Sequence, residues 1–215
     1  FVANAYALPH LPATDLLALR PGESKEHTRL AAMGPGTGLG GCTLDRSGET
    51  PVAAHCEPGH MGLAPDNDLE VELFRILHGR HTEVYAEYLL SGPGLVRLYE
   101  GMASLEGIAA DDLSPAEITR RAEQGTDPTC VHSLQTFCAL LGSVCGDFVL
   151  CNGAFGGMYL AGGIVPQITG FIAASDFEAR FNRKGQMQTY LEAVPLHIIT
   201  GGRTGLIGAG YAPLA

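Results

Sequence analysis

The sequence predicts a single α/β domain, a mixed sheet flanked by helices, and three observations lead there. Short apolar runs separated by glycine-rich turns fill the early part of the chain, and helical periodicities with cap signals fill the middle. Two apolar strands that run into glycine pairs close it. Glycine supplies 29 of the 215 residues, about twice the usual ~7% share and without a strict period. Such a chain needs many tight turns and close backbone approaches.

The first residues, "FVANAYAL", read as a helix. From His27 to Ala54 the runs "RLAAM", "GGCTL" and "PVAAH" alternate with "GPGTGLG" and "DRSGET", the pattern of strands joined by turns in a small antiparallel unit. After "APDND" a helix is expected with Leu69, Leu73, Ile76 and Leu77 on one face, Asn67 and Glu70 in capping-box spacing, and Gly79 as its stop. "SGPGLVRLYEGM" places Leu95, Leu98, Tyr99 and Met102 on one stripe, and "SPAEI" offers Ser114 as a cap with Pro115 in the first turn. From Asp127 the positions Val131, Leu134, Cys138, Leu141, Cys145 and Phe148 recur at helical steps, which predicts a long central helix buried to about Cys151. Met158 to Ala161 then reads as a strand, Gly162 and Gly163 as a tight turn, and Pro166 as the start of a helix. "PLHII" and "GGRTGLIGAGYA" repeat strand, glycine turn and helix. With no linker, repeat or low-complexity tract, residues 1–215 form one domain.

A net charge of −10 leaves no basic stripe for nucleic acid and disfavours an anionic membrane surface. No apolar run approaches the roughly 20 residues that span a bilayer, and the basic start of a signal peptide is missing, so a cytoplasmic location is expected. The six cysteines show no CxxC pair and fit reduced thiols, with Cys138 and Cys145 as small core hydrophobes.

Gly36, Thr37 and Gly38 form a turn whose N–H groups and hydroxyl could converge on an anion, although a plain hairpin uses similar residues. "AGGIVP", with Gly162 and Gly163, and "GLIGAG" carry the same signal more weakly, since glycine also serves close packing. Glu57 and His60 flank Pro58-Gly59 in a loop and belong to no apolar face. A carboxylate accepts two hydroxyl hydrogen bonds and an imidazole both donates and accepts, so the pair suits a polyhydroxylated ligand, with a plain surface loop as the alternative. A metal site from His55, Cys56 and His60 lacks zinc spacing and a fourth ligand. Glu87 by itself reads as a solvated or capping carboxylate.

Together "MGPGTGLGG", "CEPGHMGLAP", "AEYLLSGPGLVRLY", "FGGMYLAGGIVP" and "TGLIGAG" resemble, in order and spacing, the bacterial-type glucokinases of the sugar-kinase/actin/Hsp70 superfamily. The resemblance covers essentially the whole chain. It implies an actin-like/hexokinase-like large domain and phosphorylation of glucose to glucose 6-phosphate by ATP with Mg2+. It assigns Glu57 to the 2- and 3-hydroxyls of glucose, and His60 and Glu87, thirty residues beyond Glu57, to the anomeric end. Gly36, Thr37 and Gly38 fall to the ATP phosphates, and Gly162 and Gly163 to the adenosine. Pro58 departs from the family's glycine. The family's general-base aspartate directly precedes the first helix, in a pattern that begins before Phe1, and its first phosphate loop belongs to a small N-terminal domain not found in these 215 residues. The chain by itself is therefore expected to be inactive, with no catalytic residue of its own. The related repressor/open-reading-frame/kinase branch carries a cysteine-rich zinc motif after its histidine, which nothing here matches. A homodimer is expected, its face built from the Leu95–Met102 stripe and the long helix unless those stripes serve the core. A non-catalytic sugar-binding or regulatory module of the same fold is the alternative function.

Overall fold

A computed structural model describes residues 1–22 and 28–213; His27, where the strand-rich stretch was expected to open, lies outside the described residues. Six strands form one mixed sheet: β1 (Leu16–Arg20), β2 (Arg29–Pro35), β3 (Leu39–Asp45), β4 (Val52–Cys56), β5 (Met158–Leu160) and β6 (Leu196–Ile199). Their spatial order is β1-β6-β5-β2-β3-β4. The expected antiparallel unit is present as β2, β3 and β4, and it continues through parallel pairing of β2 with β5 and β5 with β6. Because β3 is antiparallel to both neighbours, β2, β4, β5 and β6 all run in one direction. Their C-terminal ends share one edge of the sheet.

The helices divide between the two faces. On one lie α2 (Asp68–Arg80), α3 (Ala86–Leu89), α4 (Gly92–Glu106), α5 (Pro115–Gln124), α6 (Pro128–Asn152), α7 (Thr169–Ala173), α8 (Phe177–Asn182) and α9 (Gln188–Glu192). A large apolar core unites them with the sheet through residues such as Met33, Leu98, Phe137, Leu141, Phe177 and Ile198. On the other face α1 (Val2–Ala7) packs over Leu30, Ala32, Cys42 and Leu44, and crosses α10 (Thr204–Tyr211).

The cap signals hold. The side chains of Asn67, Ser91, Ser114 and Asp127 accept from the N–H groups of Glu70, Gly94, Glu117 and Cys130 at 2.9, 3.1, 3.2 and 3.2 Å. Each satisfies one of the orphan donors of a helix start. Leu95, Leu98, Tyr99 and Met102 are all buried in the chain's own core, as is most of α6, so these stripes supply no dimer face.

Four expectations are corrected. Gly79 does not stop α2, which runs on to Arg80 because its last turn still bonds backbone to backbone, His81 N–H to the Leu77 carbonyl at 2.9 Å. Leu69 is 45% exposed and Phe74 takes the buried place, the inward face being turned toward α4, where Leu73 and Leu77 meet Gly101. Pro166 sits inside a single 3-10 turn, Val165–Gln167, and the helix starts only at Thr169. Finally, α6 is by length and composition apolar enough to cross a membrane; most of that stretch is buried inside the domain as its core helix.

Two further ties carry no signal in the sequence. Glu70, 2% exposed, and Arg180, 4% exposed, form a buried two-bond ion pair at 2.5 and 3.2 Å that joins α2 to α8. Arg20, at the end of β1, donates to the Leu191 and Val194 carbonyls, fastening that edge strand to the chain before β6.

Candidate functional site

Four turns follow the four co-directional strands, so the topology gathers them at one sheet edge: Gly36–Gly38 after β2, the Glu57–His60 turn after β4, Gly162-Gly163 after β5 and Gly201-Gly202 after β6. Ligands of α/β sheets collect outside such carboxyl ends.

The β2–β3 hairpin closes with Pro35 opposite Leu39, leaving Gly36, Thr37 and Gly38 as its tip. Gly36 N–H donates to the Gly38 carbonyl at 2.7 Å, and the Gly36 carbonyl accepts from Gly92 N–H, the first residue of α4, at 2.8 Å. The tip is thereby docked on a helix N-terminus, whose dipole favours negative charge nearby. Among the described residues the N–H groups of Thr37 and Gly38 and the Thr37 hydroxyl have no partner. Both backbone groups of Gly36 are thus engaged in shaping and anchoring the tip, while Thr37 and Gly38 keep their donors.

Behind the tip lies the β5 turn. Ala161 N–H bonds the Met33 carbonyl at 2.9 Å and Ile164 N–H the Pro35 carbonyl at 3.4 Å, so the two turns are bonded to each other. Gly162 adopts φ +87°, and a Cβ there would collide with the Pro35 carbonyl oxygen. Gly163 is different: nothing lies within 4 Å of where its Cβ would stand. It borders two recesses. One, of about 170 Å³, is a slot between Leu95, Pro115, Ala116 and Thr119 on the helical side and Gly163, Ile164 and Gln167 on the other. The second, of about 290 Å³, lies between Gly162-Gly163, Asn4, Gly201-Gly202 and Thr204. Gln167 donates to the Gly163 carbonyl at 2.7 Å and braces the wall they share. None of the slot's helical side chains carries a sequence signal beyond ordinary helix and cap residues, and sequence reasoning missed them.

Glu57 and His60 are exposed, as a binding loop requires, on a 3-10 turn spanning Pro58–His60. His55 Nε2 stands 3.7 Å from Glu57 Oε1. The His60 ring stacks on Tyr85, centroids 5.3 Å apart and planes 12° from parallel. Gly62 bridges Tyr85, and Ala86 N–H donates to the Met61 carbonyl at 3.0 Å, which zips this turn to the segment carrying Glu87. Glu87 is neither merely solvated nor a cap: Leu39 N–H donates to its Oε2 at 2.8 Å. Glu57, His60 and Glu87 thus belong to one linked patch beside the hairpin. Tyr85 was missed, its only signal being its place two residues before Glu87. Among the described residues no group of three or more His, Cys, Asp or Glu is placed to hold a metal ion.

This arrangement has relatives. The sequence pattern of the glucokinase family matches residues 1–214. A glucokinase from Nitrobacter hamburgensis is 40% identical over 214 residues, covering 100% of this chain and 67% of its own length. The crystal structure of a glucokinase from an Antarctic psychrotroph superimposes with a TM-score of 0.93 at 38% identity, covering 98% of this chain and 66% of that one. A glucokinase from Balamuthia mandrillaris in complex with glucose shares the fold, with a TM-score of 0.80 at 18% identity over 97% of this chain and 63% of its own. The chain spans about two thirds of the length of these relatives. On a match to all but the last residue and a fold shared from end to end, the chain belongs to the glucokinase family.

Proposed function

We propose that this chain forms the sugar floor and the nucleotide wall of an ATP-dependent glucose kinase that works in the cytoplasm. One observation carries the reading: the glycine hairpin, the Glu57–His60 turn and the Gly162-Gly163 turn meet at the single sheet edge where four strands end.

In this scheme Glu57 accepts from the 2- and 3-hydroxyls of glucose, and its exposure leaves both oxygens open to them. His60, its ring held by Tyr85, and Glu87 address the anomeric end. Thr37 and Gly38 present their uncommitted donors to the phosphates, and the 170 Å³ slot beside Gly163 receives the adenine. Phosphoryl transfer asks the protein chiefly for positioning and charge stabilisation. A hairpin tip of backbone donors at a helix N-terminus supplies part of that. The Mg2+ of such a reaction neutralises phosphate charge. Mg2+ typically takes only one or two carboxylates beside phosphate oxygens and waters. None of Glu57, His60 and Glu87 is the acceptor of the 6-hydroxyl proton; all three serve to hold the ring.

A kinase assay of the complete gene product against glucose, mannose and glucosamine, with ATP, ADP and polyphosphate as donors, tests the proposal. Glucose with ATP should give the highest kcat/KM. Saturable sugar binding without turnover for any donor would favour the non-catalytic sugar-binding module.

A further inference from the structure

Glu87 occupies a place that a sugar-reading carboxylate alone does not need. Its Oε2 accepts from Leu39 N–H at 2.8 Å, at the base of the glycine hairpin. A Cβ added at Gly38 would run into that same oxygen, and one added at Gly59 would stand 3.1 Å from it and 3.2 Å from Glu87 Cβ. The carboxylate is therefore closed in between the hairpin and the turn that carries Glu57 and His60. Its own backbone is fixed as well: Ser91 Oγ donates to the Glu87 carbonyl at 2.9 Å, and the neighbouring Ala86 N–H bonds Met61 at 3.0 Å. With the peptide held and one oxygen bonded, the side chain has little freedom to move without moving the hairpin.

We infer that Glu87 is a positioning residue for the hairpin and couples the two binding loops, so that each loop's ligand is felt at the other. The inference rests on the proposed function, which makes residues 36–38 the phosphate loop and residues 57–60 the sugar turn. A hydroxyl that donates to the free oxygen of Glu87 pulls on the carboxylate that holds Leu39. A phosphate that orders the hairpin fixes the carboxylate for the hydroxyl in return. Such coupling is reciprocal by thermodynamic necessity.

The test uses each ligand in the absence of the other, on the complete gene product. Calorimetric titration with AMPPNP and Mg2+, no sugar present, should give a Kd raised at least fivefold in Glu87→Ala. In Glu87→Gln, whose amide oxygen still accepts from Leu39, it should stay within twofold of the parent. Conversely Gly38→Ala, a change in the hairpin that displaces Oε2, should raise the glucose Kd at least fivefold with no nucleotide present. A residue that served the sugar alone would leave AMPPNP affinity within twofold in Glu87→Ala, and that result overturns the inference. So does an unchanged glucose Kd in Gly38→Ala, which decides the matter if Glu87→Ala fails to fold. A parent protein that binds neither ligand overturns the proposed function itself. The contact is then still read separately by NMR: the Leu39 amide should move upfield and lose exchange protection in Glu87→Ala and not in Glu87→Gln, and an unmoved resonance refutes the bond.

Discussion

The adjacent glycines at the end of β5 should fail in opposite ways when given a side chain. At Gly162 the backbone sits at φ +87°, where an L residue costs roughly 1–2 kcal/mol, and the new Cβ would press on the Pro35 carbonyl. A backbone carbonyl tied into the hairpin cannot rotate away as a side-chain end can, so the end of β2 must shift, and Gly162→Ala should lose about 3 kcal/mol in all. In a domain of this size that is a fall in Tm of roughly 6–12 °C. At Gly163 there is no positive φ and nothing lies within 4 Å of the added atom, so Gly163→Val should melt within about 2 °C of the parent. Its branched side chain would instead stand at the mouth of the 170 Å³ slot and raise the Kd for AMPPNP about tenfold or more, the equivalent of ~1.4 kcal/mol. Thermal melts and calorimetric titration of the two purified variants make the comparison. A Gly163→Val protein that melts early while binding nucleotide normally would show that Gly163 serves packing. A Gly162→Ala protein as stable as its parent would refute the steric argument.

Glu57→Gln should reduce kcat/KM for glucose at least tenfold, since charged hydrogen bonds to two hydroxyls are weakened together; a value within threefold of the parent removes Glu57 from the sugar site. His60→Ala should raise the sugar KM far more than the ATP KM, and equal effects would make the His60–Tyr85 stack structural. Arg180→Met leaves the Glu70 carboxylate buried with no cation against it and should cost about 3–5 kcal/mol by denaturant unfolding, whereas Glu70→Leu with Arg180→Met should recover only part of the loss, since Leu cannot accept from Asp66 N–H and the Asn67 amide as Glu70 does. A single variant as stable as the parent would contradict the pair's burial. His197 stacks on Tyr159, its Nδ1 is buried without a partner, and desolvation lowers its pKa. The unfolded chain then takes up a proton that the folded one resists, so this stability is fully present above a pH of about 6.5 and falls as the pH drops below it. Melts between about pH 7.5 and 5.5 should slope less in His197→Phe than in the parent; parallel slopes would clear His197 of the effect.

Legibility followed the range of the interaction. Helices α2, α4, α5 and α6 were readable because Asn67, Ser91, Ser114 and Asp127 bond only three residues ahead, and the chain carries that signal in a short window. The strand β1 was not, because "LLALR" has no alternation, and its hold on the fold comes from antiparallel pairing with β6 and from Arg20 reaching Val194, 174 residues away. Leu69 was misplaced for a related reason: a periodic stripe tells which residues share a face, while the neighbour α4 decides how far that face turns inward. Glu57, His60, Thr37 and Gly38 stood out as polar or glycine residues in loops with no core to serve. Glu87 stood among apolar neighbours, and its bond to Leu39 spans 48 residues, so its part at the hairpin could be seen only in the fold.

The site is a consequence of strand direction more than of any single motif. Were β3 parallel to β2, the chain would need a crossover between them, the hairpin tip at Gly36–Gly38 would not exist, and β4 would deliver Glu57 somewhere other than beside it. Because β3 instead returns antiparallel and β4 reverses again, two short turns are enough to bring the Glu57–His60 turn back to the edge where the hairpin lies. The long α-helical excursion between β4 and β5 then returns in parallel, with Ala31 opposite Met158 and Met33 opposite Leu160. That register places Gly162 against Pro35. A slip of one residue would exchange the two faces of β5 and draw Gly162 away from the hairpin. The buried Met158 and Leu160 on one side and the half-buried Tyr159 on the other hold the register, so apolar side chains within the sheet set where the Gly162-Gly163 turn stands.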